Sequence, residues 1–150
     1  MIKYHIEKYE NCIKDLMPII TAHYSEVTTF KDVKKLDLDH EKYHFMCQND
    51  MLRIYTVRDD EKLIGYSSWF VMGHMHYRTC MTAISDALYI DPAYRGSTVA
   101  YTMFDLALAD LRENMNVKIA SFHMKVDFPF RKLLKKFGGV LTEENWEIKL

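Results

Sequence analysis

The chain has 150 residues, 49% of them hydrophobic and 27% charged, and its 20 Lys and Arg against 21 Asp and Glu leave a net charge of −1. A chain of this length buries roughly 70% of the surface it would expose unfolded, which suits a single domain spanning residues 1–150. Disorder is excluded by the apolar content, a collagen-like or linker-like chain by only five glycines and three prolines, and a global attraction to nucleic acid or anionic membrane by the balanced charge. The opening Met1-Ile2-Lys3-Tyr4-His5-Ile6-Glu7 lacks the apolar centre of a signal peptide, and no run approaches the about eighteen apolar residues of a membrane span. A cytoplasmic location is therefore expected, and Cys12, Cys47 and Cys80, odd in number and without a CxxC pair, are expected as reduced, mostly buried thiols.

The first element expected is a helix, because Ile13, Leu16, Met17, Ile20 and Tyr24 recur at three- and four-residue steps. Pro18 falls inside that stripe and should kink it or divide it in two. After a polar stretch over 25–37, Asp39 can cap a short helix carrying Tyr43, Met46 and Cys47. The period then changes to two: Leu52–Arg58 and Leu63–Met72 read as a hairpin turning at Asp59–Lys62. A further strand runs over 79–90 and ends at Asp91-Pro92. Residues 98–113 form a helix with Val99, Met103, Phe104, Ala107 and Leu111 on one side. Val117–Met124 is expected as a strand, Phe130–Phe137 as a helix stopped by Gly138-Gly139, and Trp146–Leu150 as a last strand. Antiparallel strands followed by alternating strands and helices give an α/β fold, a mixed, mostly antiparallel sheet flanked by helices.

The stretch Tyr89-Ile-Asp-Pro-Ala-Tyr-Arg-Gly-Ser-Thr-Val-Ala100 joins a strand to a helix. The first amides of a helix have no internal partner and carry partial positive charge, so such a turn can receive a diphosphate, with Gly96 permitting close approach and Arg95 adding charge. It also reads as an ordinary strand-to-helix turn capped by Ser97.

Leu88 to Gly96 resembles the central motif of the GNAT superfamily of acetyl-CoA-dependent N-acetyltransferases: a strand, a proline, then Arg/Gln-x-x-Gly-x-Gly/Ala opening a long helix. Arg95 and Ala100 match the ends of that loop, and Thr98 stands where the middle glycine falls. The order of elements is similar too. Gly65-Tyr66, His74-Met75-His76-Tyr77 and Asp86-Ala87-Leu88-Tyr89 follow one another as in a bacteriophage-encoded group of these proteins, which would place the chain in a host cytoplasm. The resemblance implies the acyl-CoA N-acyltransferase fold and acetyl-CoA as co-substrate. It implies that Arg95, Gly96, Ser97, Thr98, Val99 and Ala100 hold the pyrophosphate, that Leu88, Tyr89 and Ile90 offer backbone to the pantetheine arm, and that Asp127 takes the place of a cofactor-side Asn on the next helix. That alignment also puts Leu134 where the family often has the tyrosine that protonates the leaving thiolate.

An attacking amine must lose a proton, so a base is required. Asp86 is the first candidate: in a regular strand it shares a face with Ile84, Leu88 and Ile90, where desolvation would raise its pKa, though it can equally serve as a cap or ion-pair partner. His123, on the following strand, is the second. His74 and His76, two residues apart, would share one strand face; they are read as acceptor contacts or a polar pair at a strand end, and without a third ligand no metal is assigned. The leading expectation is an N-acetyltransferase acting on a primary amine of a small molecule or protein. The competing one, resting on Thr98 and Leu134, is a weakly active or inactive module of the same fold that binds a host protein. A second copy of the chain is also left open as a partner.

Overall fold

The computed structural model describes all 150 residues. Its elements are β1 (Ile2–Glu7), α1 (Tyr9–Val27), α2 (His40–Gln48), β2 (Leu52–Asp59), β3 (Lys62–Gly73), β4 (Met81–Ile90), a 3-10 turn (Pro92–Tyr94), α3 (Val99–Glu113), β5 (Val117–Phe122) and α4 (Arg131–Lys136). The strands lie in chain order in one sheet, antiparallel except for the β4–β5 pair, which is parallel. The expected mixed α/β architecture is the one that forms.

Alternation along the central strands feeds two separate cores. Tyr55, Val57, Trp69, Val71 and Ala83 turn to the α3 face, where they meet Met103, Phe104, Ala107 and Leu111. Leu52, Ile54, Tyr66 and Tyr89 turn to the other face, under Tyr9, Cys12 and Leu16 of α1 and Cys47 of α2. Cys12 and Cys47 are buried, Cys80 is partly buried, and all three are free thiols. β3 approaches β4 closely enough that a Cβ on Gly65 would lie 2.6 Å from Ile90 Cδ1 and 2.8 Å from the Tyr89 carbonyl oxygen, so only glycine fits. Asp39 caps α2 as expected, accepting from the Lys42 amide at 2.9 Å.

Three expectations need correction. β1 precedes the first helix and pairs along its whole length with β2. α1 runs unbroken through Pro18, since the missing amide costs one ladder bond while the stripe around it stays packed on the sheet. The segment Trp146–Leu150 is not a strand. It alternates, but no neighbouring strand supplies a ladder; Glu147 instead pairs with Lys34 at 2.6 Å, and Lys149 with Asp32, leaving Trp146, Ile148 and Leu150 exposed.

Candidate active site

The site is organised by an irregularity in β4. Ser68 pairs with Ala87 and Trp69 with Ser85, so Asp86 is an extra residue with no partner in β3. Such a bulge reverses the alternation beyond it. Asp86 therefore shares the α1/α2 face with Ile84, as expected, but Leu88 and Ile90 turn into the α3 core and Tyr89 takes the α1/α2 face. A regular strand would set Asp86 beside Leu88 and Ile90; the bulge places it among different neighbours. β5 leaves β4 at the same level, the last pair being Ser85 with Phe122. From Asp86 to Ile90, one edge of β4 is consequently unpaired by any strand.

Asp86 lies at a small cleft of about 60 Å³ lined by Tyr9, Leu16, Ile20, Leu38, Tyr43, Ile54, Tyr66 and Ser68. Ser68 Oγ donates to Asp86 Oδ2 at 3.0 Å, and the Tyr43 hydroxyl is also turned toward the carboxylate. Solvent reaches Asp86, yet desolvation by these walls outweighs the two hydroxyls and lifts its pKa above the usual aspartate value. Burial likewise pushes the Tyr43 phenol up to about 12 and that of Tyr66 higher still, so both keep their protons at neutral pH. No cation pairs with Asp86.

Beyond Asp86 along the same face lies a second group that sequence reasoning missed. His23 of α1 places Nδ1 3.1 Å from the Tyr66 hydroxyl and sets its ring 5.3 Å from that of Tyr89. Burial lowers its pKa, favouring the neutral imidazole. One turn on, Glu26 takes two bonds from Arg95 at 2.7 and 2.8 Å, while Arg95 Nε donates to the Ile90 carbonyl at 2.8 Å and its guanidinium lies over Tyr89. Arg95, expected to lend charge to a diphosphate, is thus neutralised by α1. These pairs are 43 and 69 residues apart in the chain, so no local pattern signals them.

The loop itself is open. Gly96 has φ of +80°, the left-handed region that favours glycine, and a Cβ there would touch nothing. Ser97 Oγ accepts from the Val99 amide at 3.3 Å, and the first ladder bond of the helix runs from the Thr102 amide to Thr98. The amides of Gly96, Ser97, Thr98, Ala100 and Tyr101 meet no backbone carbonyl. Thr98 is exposed at the N-cap position and its side chain makes no capping bond. A row of unpaired amides at the start of a 15-residue helix fits an anionic phosphate group.

The remaining candidates lie elsewhere. β5 ends at Phe122, so His123 is just past the strand rather than on it, exposed, where β4 and β5 have parted. Asp127 is exposed in the turn that follows, and Leu134 packs its side chain against the α3 core. His74 and His76 are not on a strand face: they occupy the β3–β4 loop, with rings 5.8 Å apart and the His76 amide donating to His74 Nδ1 at 3.1 Å. That loop adjoins the opposite end of β4 from the Asp91–Thr98 turn, and His74 is six residues of strand beyond Ser68, about 20 Å. They do not join the cleft at Asp86. No three His, Cys, Asp or Glu side chains gather closely enough to hold a metal ion. No helix is long and apolar enough to cross a membrane.

An open strand edge that ends in an amide-lined loop is a device for an extended anionic ligand, and relatives bear on which family uses it here. The acetyltransferase (GNAT) family model matches residues 15–138, and the chain therefore belongs to the GNAT acetyltransferases, a family of acyltransferases. No curated protein matches the sequence. Among solved structures, an aminoglycoside acetyltransferase from an uncultured soil metagenomic sample superposes with a TM-score of 0.76 at 12% identity, over 100% of this chain and 99% of that one. A predicted acetyltransferase from Clostridium acetobutylicum, with acetyl-CoA, gives 0.74 at 15% identity, covering 99% and 96%. Glucosamine-6-phosphate N-acetyltransferase from Arabidopsis thaliana gives 0.67 at 10% identity, covering 100% and 98%. At such identities the likeness is one of fold.

Proposed function

We propose that this chain is an N-acetyltransferase that moves the acetyl group of acetyl-CoA to a primary amine, in the cytoplasm, with Asp86 as the base. The observation that carries this reading is that β4 alone brings together an unpaired edge over 86–90, an amide-rich loop beyond its end and an acid at its bulge. The amides of Gly96, Ser97, Thr98, Ala100 and Tyr101 would hold the pyrophosphate, with the helix end rather than Arg95 supplying positive charge. The backbone of Leu88–Ile90 would carry the pantetheine arm. Similarity of fold to a protein that has acetyl-CoA supports this co-substrate.

In the reaction, Asp86 takes a proton from the bound ammonium and passes it to water. The freed amine attacks the thioester carbonyl, the C–S bond breaks, and the second proton leaving nitrogen ends on the CoA sulfur. His123, beside the gap between β4 and β5, is the alternative base. Leu134 offers no hydroxyl to the sulfur, so solvent would deliver that proton. The same Leu134, with Arg95 held by Glu26, supports the second reading, a fold-retaining module that engages a host protein or a second copy of the chain.

Thermal unfolding with acetyl-CoA separates the two. A ligand at 100 times its Kd stabilises by about 2.7 kcal/mol, a rise of roughly 5 °C or more for a domain this size. No shift at millimolar acetyl-CoA would remove the co-substrate assignment, and a shift without thiol release across a panel of amines would favour the binding module.

A further inference from the structure

We propose that the cleft at Asp86 selects a slender, apolar primary monoamine, a straight-chain alkylamine, with its ammonium on the Asp86 carboxylate and its hydrocarbon between Tyr43, Tyr66, Leu16, Ile20 and Leu38. This rests on the acetyl-transfer reading for what happens to the amine, but the recognition itself follows from the walls of the cleft. Asp86 is the only charged group among them, and Ser68 the only other polar one besides the tyrosine hydroxyls. A single carboxylate complements a single ammonium. The walls are also preset: Tyr9 stacks on Tyr43 with ring centres 5.1 Å apart and 10° between planes, and Tyr9 is held by its hydroxyl 2.7 Å from His40 Nδ1.

The same composition rejects other amines. A polycationic aminoglycoside would leave its further ammonium groups against leucine and isoleucine, and a sugar phosphate would find no cation for its phosphate. None of the acids of the α1–α2 connection lines the cleft. Asp39 is committed to capping α2, and it is Leu38 that reaches the cleft. At about 60 Å³ the space is a fraction of the about 300–1,000 Å³ that encloses a drug-sized ligand, which favours a chain over a hexose ring.

Calorimetric titration of the full chain at pH 7 with propylamine, butylamine and pentylamine tests the proposal, with sisomicin and glucosamine 6-phosphate alongside. Affinity should rise about threefold to fourfold per methylene until the cleft is full. Asp86→Asn should weaken pentylamine binding about tenfold or more, through loss of the charged hydrogen bond. Leu38→Trp, which enlarges a side chain of the cleft wall, should abolish the chain-length increment. A flat series, or tighter binding of sisomicin or glucosamine 6-phosphate than of pentylamine, overturns the proposal. Transfer to one of those two with the monoamines ignored would do so while leaving the acetyltransferase reading intact. Asp86-dependent monoamine binding without acetyl transfer would do the reverse.

Discussion

Two aspartates lie on opposite faces of the same sheet, and their surroundings assign them different work. Asp110, on α3, is buried and fully engaged: Arg53 donates two bonds to it at 2.9 and 3.0 Å, the Tyr55 hydroxyl one at 2.8 Å, and Asn114 one at 2.8 Å. Every oxygen is used, and a guanidinium balances the charge. Asp86, at the β4 bulge, has only hydroxyls for company, no cation, and a carboxyl pushed upward by desolvation. A carboxylate locked to arginine fastens α3 to β2. One left without a cation at a solvent-reached cleft can still exchange a proton, and the contrast teaches that a structural acid is buried and closed off by its partners while a reactive one is left open.

Breaking the first half of that contrast should give the largest effect. Asp110→Ala strands Arg53 and the Tyr55 hydroxyl in the α3 core and should cost about 3–5 kcal/mol of unfolding free energy in a denaturant titration. Asp86→Asn in the same assay should stay within about 0.5 kcal/mol of the parent, as expected of a partly exposed group removed from structural pairing. Equal losses from both would erase the distinction.

Smaller changes sharpen the picture at the loop. Thr98→Gly should tighten acetyl-CoA binding by roughly tenfold at most, the loss of a side chain at the approach to the amides outweighing a few tenths of a kcal/mol of helix-start stability. Weaker binding would mean that Thr98 itself contacts the ligand. Glu26→Gln should cost only about 0.5–1 kcal/mol of stability, since the Arg95 pair is partly exposed, and should raise acetyl-CoA affinity a few-fold at low salt by freeing Arg95 toward the loop. An unchanged affinity would show that Arg95 serves only to tie the loop to α1.

Much of the fold was legible because its signals are local. The two-residue period of 52–58 and 63–72 gave the hairpin, the stripe from Val99 to Leu111 gave α3, and Asp39 announced the α2 cap. β1 carried a partial signal as well: Ile2 and Tyr4 alternate with polar residues and pack half-buried on the α3 core, though Ile6 stays exposed. Trp146–Leu150 shows the converse, alternation without an available ladder. The candidate site was legible only in part. Asp86 and the Gly96 loop could be named, but the bulge that re-aims Asp86 depends on how β3 registers against β4, and alternation alone cannot reveal an extra residue. Tyr43, Tyr66 and Ser68 read as ordinary core or strand positions. His23 and Glu26 acquire meaning only when α1 is laid across β3 and the β4–α3 turn, and the histidines at 74 and 76 lose theirs when the loop carries them away.

The most direct test of Asp86 as the base is the pH dependence of kcat/KM for acetyl transfer to pentylamine, in the parent chain and in Asp86→Asn. The carboxyl must be ionised to accept the proton, so activity should fall as pH drops through its pKa, at a midpoint above the ordinary aspartate value near 3.8 because burial disfavours the charge. Asp86→Asn should lower kcat/KM by about 100-fold or more and lose that acid limb. An Asn variant that keeps both the rate and the limb would contradict the assignment and move the proton to another group.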